Sequence, residues 1–193
     1  MIKNILKHTK LVLKHKWYVF IFCTKLGMPL RGLQHDISKF SPTEFWESVK
    51  YYNGKRSPIV ISRKENGYSK AWLHHKGRNK HHIEYWVDVN APERTPIIPY
   101  KYVAEMICDK LSANKVYYGK DWTKSSEIEY WNKEKQQVEV NKHVEEMLTE
   151  VFEQVAEKGI NPVLTKENIQ SLYIKHCGEI RKNKKGEKSE NKI

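Results

Sequence analysis

Four of the nine histidines fall within nine residues, His74-His75-Lys76-Gly77-Arg78-Asn79-Lys80-His81-His82. Upstream stands His35-Asp36, an imidazole beside a carboxylate, continued by Ile37-Ser38-Lys39. Downstream, Asp109 interrupts an apolar run with Met106, Ile107, Cys108 and Leu111. Imidazole and carboxylate are common ligands for Zn, Mn, Fe and Co. A metal site needs three or more such groups, brought from separate elements and held rigidly. The candidate ligands are His15, His35, Asp36, His74, His75, His81, His82 and Asp109. A closed structural zinc site ordinarily uses cysteine, and none lies near the histidine segment. Neighbouring helical residues point about 100° apart, so one member of each histidine pair is expected to face the metal. The other member would orient a ligand, bind substrate or face water.

The elements that would position these groups are helical. Residues 3–26 read as a helix with His8, Val12, His15, Val19 and Phe22 on one face. Gly27-Met28-Pro29 stops it, and a second helix, starting near Leu30, is expected to carry Leu33, His35, Asp36 and Ile37. In an antiparallel hairpin turning near Met28, His35 lies roughly 10 Å past the turn and His15 roughly 20 Å before it. His8 lies roughly 30 Å back, so His15 is the better partner and His8 the alternative. Ser41-Pro42-Thr43-Glu44 reads as a capping box opening a helix to about Tyr52. Residues 53–67 read as a loop, with 58–61 short and β-branched. Helical segments follow over 68–76, 81–87 and 100–115, then one or two over 124–158, and a last one capped by Thr165. The class is all-α: a helical bundle with a C-terminal helical extension. Residues 1–118 form the metal-binding domain, 119–180 pack on it, and 181–193 are expected to be a disordered basic tail.

Composition limits the partners. The chain has 193 residues and a net charge of +12. Most of the excess sits at the ends: residues 1–40 carry eight Lys/Arg against one Asp, and 181–193 six against two Glu. Basic ends attract phosphate, on small molecules or nucleic acid. Trp17, Trp72 and Trp86 could stack on bases but read better as core. Cys23, Cys108 and Cys177 form no C-x-x-C pair and read as reduced thiols. Lysines at 3, 7, 10, 14 and 16 break any signal-peptide core. A soluble, cytoplasmic protein with no membrane partner is expected; composition says nothing about oligomeric state.

His15, then His35-Asp36-Ile37-Ser38-Lys39, then Asp109, resembles the HD-domain superfamily of metal-dependent phosphohydrolases, with Ser38 where that motif usually has Gly. The histidine pairs fall where two-metal members add two further ligands. More closely, HDxSKFS with HHxxxNxHHxEYW is similar to an uncharacterised family of bacterial and phage proteins. The similarity covers about residues 4–118. It implies an HD-like helical bundle holding one or two divalent ions (Mn, Fe, Zn, Co or Mg). It also implies hydrolysis of a nucleotide or other small phosphorylated substrate by metal-activated water. Asp36 would be ligand and base, and Lys39 a catalytic cation. Lys39, Lys76, Arg78, Asn79 and Lys80 are the candidate substrate contacts. A di-iron oxygenase on the same ligands, or a non-catalytic binder of nucleic acid or phosphate, are the alternatives.

Overall fold

The computed structural model describes residues 2–54 and 56–180. Among them are ten α-helices, a few short 3-10 turns and no strand, so the chain is all-α. The expected basic tail, 181–193, lies outside the described residues. No helix among the described residues is long and apolar enough to cross a membrane.

Helix α1 (Ile2–Lys25) buries the face read from its spacing, His8, Val12, His15, Val19 and Phe22, together with Cys23. Gly27, at φ 74°, turns the chain in the left-handed region that glycine enters without strain. Helix α2 (Pro29–Gln34) then folds back on α1. The close approach is made at Gly32, where a Cβ would stand 2.8 Å from both Cys23 Cβ and Phe20 Cα. The main chain of α1 cannot yield as a flexible side chain would. Gly32→Ala is therefore expected to cost about 1–3 kcal/mol, the usual range for overpacking. Chemical denaturation checks this, and an unchanged midpoint would contradict it.

The second helix is shorter than its spacing predicts. It ends at Gln34, and His35 and Asp36 lie beyond it. Leu33 and Ile37 are exposed. Lys16 explains the early stop: its ammonium donates to the carbonyls of Leu33 and His35, capping the carboxyl end of α2.

Helix α3 (Pro42–Lys50) starts as expected, with Ser41 Oγ accepting from the Glu44 N–H at 3.4 Å. The region read as a loop contains a helix, α4 (Pro58–Asn66). Ser57-Pro58 is a helix start with Pro in the first turn, and Gly67, at φ 79°, is its C-terminal stop. The helix buries only Pro58 and Ser62, so no apolar stripe announces it. Helix α5 (Lys70–Arg78) is capped by Ser69 Oγ, which accepts from the Trp72 N–H. Trp17 lies on the open face of α1, 60% exposed, and is not core.

Helix α6 (Tyr100–Tyr118) is the central one, buried at Val103, Ala104, Met106, Ile107, Cys108 and Leu111. The long amphipathic stretch is two helices, α7 (Ser126–Glu134) and α8 (Lys142–Lys158), followed by α9 (Ile160–Val163) and α10 (Lys166–Cys177). Helices α1, α7 and α10 pack on α6, and α8 joins α7 to α10. One apolar cluster runs from Val19 through Leu111, Trp131 and Phe152 to Tyr173. Each fully buried Leu, Ile or Met in it contributes about 1.5–3 kcal/mol. That rigidity is what α6 lends to the polar residues it carries, Glu105 and Asp109.

Candidate metal centre

Five segments bring polar groups to one buried place: α1, the His35-Asp36 turn, α5, the His81-His82 segment and α6. His15, His35, Asp36, His75 and His81 are all buried. Asp36 sits at φ 53°, the one non-glycine residue with positive φ among the described residues. Asp enters this region more readily than most side chains. The turn sends its carboxylate inward.

Two ligand groups share Asp36. His15, His35, Asp36 and Asp109 make one; Asp36, His75, His81 and His82 make the other; a third set joins His35 and His81 to Glu105; in each the ligand atoms lie within 4.8 Å of one another. In the first, His15 Nε2 is 3.0 Å from Asp109 Oδ1 and 3.3 Å from His35 Nε2. His35 Nε2 is 3.2 Å from Asp36 Oδ2 and 3.3 Å from Asp109 Oδ1. In the second, His75 Nε2 and His81 Nε2 each lie 3.3 Å from Asp36 Oδ1. Ligand atoms about 2.1 Å from one ion, at tetrahedral or octahedral angles, stand about 3.0–3.4 Å apart. The observed separations match.

The outer faces of the histidine rings are held by two glutamates that the sequence reading missed as site residues. His35 Nδ1 donates to Glu105 Oε1 at 3.0 Å, and His81 Nδ1 lies 3.2 Å from the same oxygen. The other Glu105 oxygen accepts from Arg31 at 2.7 Å. Glu44 Oε2 accepts from His75 Nδ1 at 2.7 Å, and Glu44 Oε1 from His74 Nδ1 at 2.6 Å. A proton fixed on Nδ1 leaves the Nε2 lone pair free. The Nε2 atoms of His35, His75 and His81 therefore converge with carboxylate oxygens, and His15 Nε2 lies beside Asp109 among them. Acceptors facing acceptors call for a cation between them. Asp36 Oδ1, His81 Nε2 and His82 Nε2 are buried with no hydrogen-bond partner, which fits the same reading.

Protons and metal ions compete for these lone pairs. Burial would lower the His35 pKa, but Asp36, Asp109 and Glu105 outweigh it and hold it well above the ordinary value. Burial would raise Asp36, but His35, Lys39 and His75 pull it well below. Burial also opposes ionisation of Asp109, and His15 and His35 overcome it in the same way.

The sequence-predicted residues divide as follows. His15, His35, Asp36, His75, His81, His82 and Asp109 come together. His8 does not: it lies against Phe45 and Tyr52, and burial with Lys39 nearby lowers its pKa to about 4. His74 is not in either group; it braces Glu44 from outside. His81 and His82 both join the site, because they lie in non-helical backbone, where the 100° rule does not apply. Glu44 was read as half of a capping box, yet its carboxylate serves the histidines.

Lys39 donates to Asp36 Oδ2 at 2.7 Å and lines a cavity of about 750 Å³ beside the cluster. Lys76, Arg78 and Lys80, read as substrate contacts, do not line that cavity. Lys80 instead lies over the rings of Tyr85 and Tyr102. Asn79 does not line it either: its amide donates to Ser38 Oγ at 2.9 Å and to the His75 carbonyl at 2.8 Å. Ser38, standing where Gly is usual in the HD motif, thus ties the His35-Asp36 turn to the end of α5.

Glu44 touches only the second group, which sets up an asymmetric test. Glu44→Ala is expected to weaken metal binding there by about 10–100-fold, the usual cost of losing a carboxylate behind a histidine ligand. The group holding His15 and Asp109 should be little changed. Metal titration resolving two affinities checks this, and equal weakening of both would contradict it.

Fold and cluster together define an all-α protein with buried histidines and carboxylates that could hold metal ions. The chain belongs to DUF5662, a family of unknown function, whose sequence profile matches residues 4–158. No curated protein and no solved structure matches it.

Proposed function

We propose that this protein is an HD-type phosphohydrolase that holds two divalent ions and acts on a small phosphorylated substrate. The observation that carries the reading is the double role of Asp36. One of its oxygens faces His75 and His81, and the other faces His35 and Lys39. A carboxylate shared in this way suits a pair of ions a few ångströms apart, the arrangement used to clamp phosphoryl groups. Divalent ions held there would supply Lewis acidity and an acidified water.

The chain's own groups do the rest. Glu105 and Glu44 fix the histidine tautomers, so the ligand set is preorganised. Lys39 is the cation nearest Asp36 that also lines the cavity, which makes it the candidate contact for a phosphate oxygen. The apolar wall, which includes Met106, Ala113 and Val116, limits water around the reacting group.

The test is a panel of phosphomonoesters assayed with Mn, Fe, Co, Zn and Mg, each with a chelator control. The proposal expects turnover with at least one metal that the chelator abolishes. Turnover insensitive to chelation, or none with any metal and any substrate, would contradict it.

A further inference from the structure

The cavity has a second end that the metal chemistry does not use. Helix α6 leads to it: Asp109, Ala113, Asn114 and Tyr117 all line the cavity along one side of that helix. Asn114 lies five residues past Asp109, about 7–8 Å along the helix axis. There α7 contributes Glu127, only 1% exposed, to the cavity wall.

Neither carboxylate oxygen of Glu127 meets a donor at full hydrogen-bond geometry, although the Asn114 amide is close enough to steady the ionised carboxylate. Its polar neighbour Asn114 is 5% exposed and donates its amide N–H to the Ser126 carbonyl, which fixes the orientation of the amide. The Asn114 carbonyl oxygen then points away from that bond and is also unpartnered. Three buried oxygens therefore share one end of the cavity, where the Asn114 amide, already bonded to Ser126, is the nearby donor. The nearby cation is already engaged: Lys110 pairs with Glu134. Two acids share one committed lysine, so an ionised Glu127 would be uncompensated. An unpaired buried carboxylate is strongly unfavourable. Burial accordingly pushes the Glu127 carboxyl up to about 8, with Lys110 opposing and Glu134 adding to the shift.

We propose that the Glu127 end of the cavity binds a protonated amino group, so that the substrate carries an ammonium at one end and a phosphate at the other. The substrate-class part of this rests on the phosphohydrolase reading above. A primary ammonium offers three donors and no acceptor, and its charge would draw the proton off Glu127, leaving both carboxylate oxygens and the Asn114 carbonyl to accept. A nucleobase edge presents donors mixed with acceptors and would leave part of the set unpaired. The half-exposed Tyr117 and Tyr130 also line the cavity, and aromatic rings favour a nearby cation. With Asn114 about 7–8 Å past Asp109 along the helix axis, a short alkyl chain would bridge the two ends.

The test compares ω-aminoalkyl phosphonates with alkyl phosphonates of equal length, titrated calorimetrically into manganese-loaded full-length protein. Phosphonates are not hydrolysed, so binding is read without turnover. The amine is expected to bind at least 10-fold more tightly, a difference of about 1.4 kcal/mol. Glu127→Gln should erase that preference and leave alkyl phosphonate affinity unchanged. The wild-type comparison needs no variant, so poor folding of Glu127→Gln would not blunt it. Equal wild-type affinities, each dependent on manganese, would overturn the ammonium site and leave the phosphate reading standing. Nucleoside monophosphates binding more tightly than any amine, and losing that advantage in Glu127→Gln, would also overturn it. If neither phosphonate binds with or without manganese, the phosphohydrolase reading fails and this inference falls with it.

Discussion

Asp36→Asn is expected to empty both metal positions while leaving the helices in place. Asn keeps the size of the side chain and tolerates the left-handed backbone at φ 53°. It loses the negative charge and one of the two acceptor oxygens that face the two ligand groups. Any phosphatase activity should fall at least about 100-fold, the scale for losing an electrostatic group at the reacting centre. Asp36→Ala should lose metal equally and pay an additional roughly 1 kcal/mol in stability for its left-handed residue. Elemental analysis and circular dichroism, made on the same samples, separate metal loss from unfolding. Full metal occupancy in Asp36→Asn would remove Asp36 from the ligand set.

Glu105→Gln has the second-largest expected effect, although Glu105 would touch neither ion. One of its oxygens serves His35 and His81, which belong to different ligand groups, and the other accepts from Arg31. A glutamine cannot satisfy both sides. With its amide nitrogen toward Arg31, two donors face each other. With the nitrogen toward the histidines, both rings are driven to carry their protons on Nε2, where ligation occurs. Metal affinity should fall about 10–100-fold at both positions. The contrast is with Glu44→Ala, which should weaken only one. Metal titration of the two variants side by side checks the pair, and a selective effect of Glu105→Gln on one position would contradict the bridging role.

Much of this cluster was legible in the sequence because histidines and carboxylates are chemically conspicuous. The α1 face was read correctly, since His8, Val12, His15, Val19 and Phe22 recur at helical spacing on a long regular helix. The choice of His15 over His8 followed from the rise per residue, and the structure places His15, not His8, beside His35 and Asp109. Spacing failed where the backbone is not helical. His35 and Asp36 leave α2 because Lys16, nineteen residues before His35, caps it, and no local pattern reports that contact. His81 and His82 both reach the site for the same reason: an extended segment does not obey helical angles.

The misses share a cause. Glu44 sits in a perfect capping signal, so its local explanation hid its tertiary one. Glu105 lies four residues before Asp109 on α6, the same face one turn earlier, and that spacing was the available signal for it. Lys76, Arg78 and Lys80 looked like phosphate contacts by sequence proximity alone. Proximity along the chain does not say which side of a helix end faces a cavity. Helix α4 carries no apolar stripe, and its Ser-Pro and Asn-Gly boundaries are equally good turn signals.

The central claim is that Asp36 joins two metal positions, and the direct measurement is metal stoichiometry. Protein purified under mild conditions and reloaded with manganese should contain two ions per chain. Anomalous diffraction from its crystals should place them on opposite sides of the Asp36 carboxylate. One ion bound by His15, His35 and Asp109 alone, or no ion at all, would contradict the account.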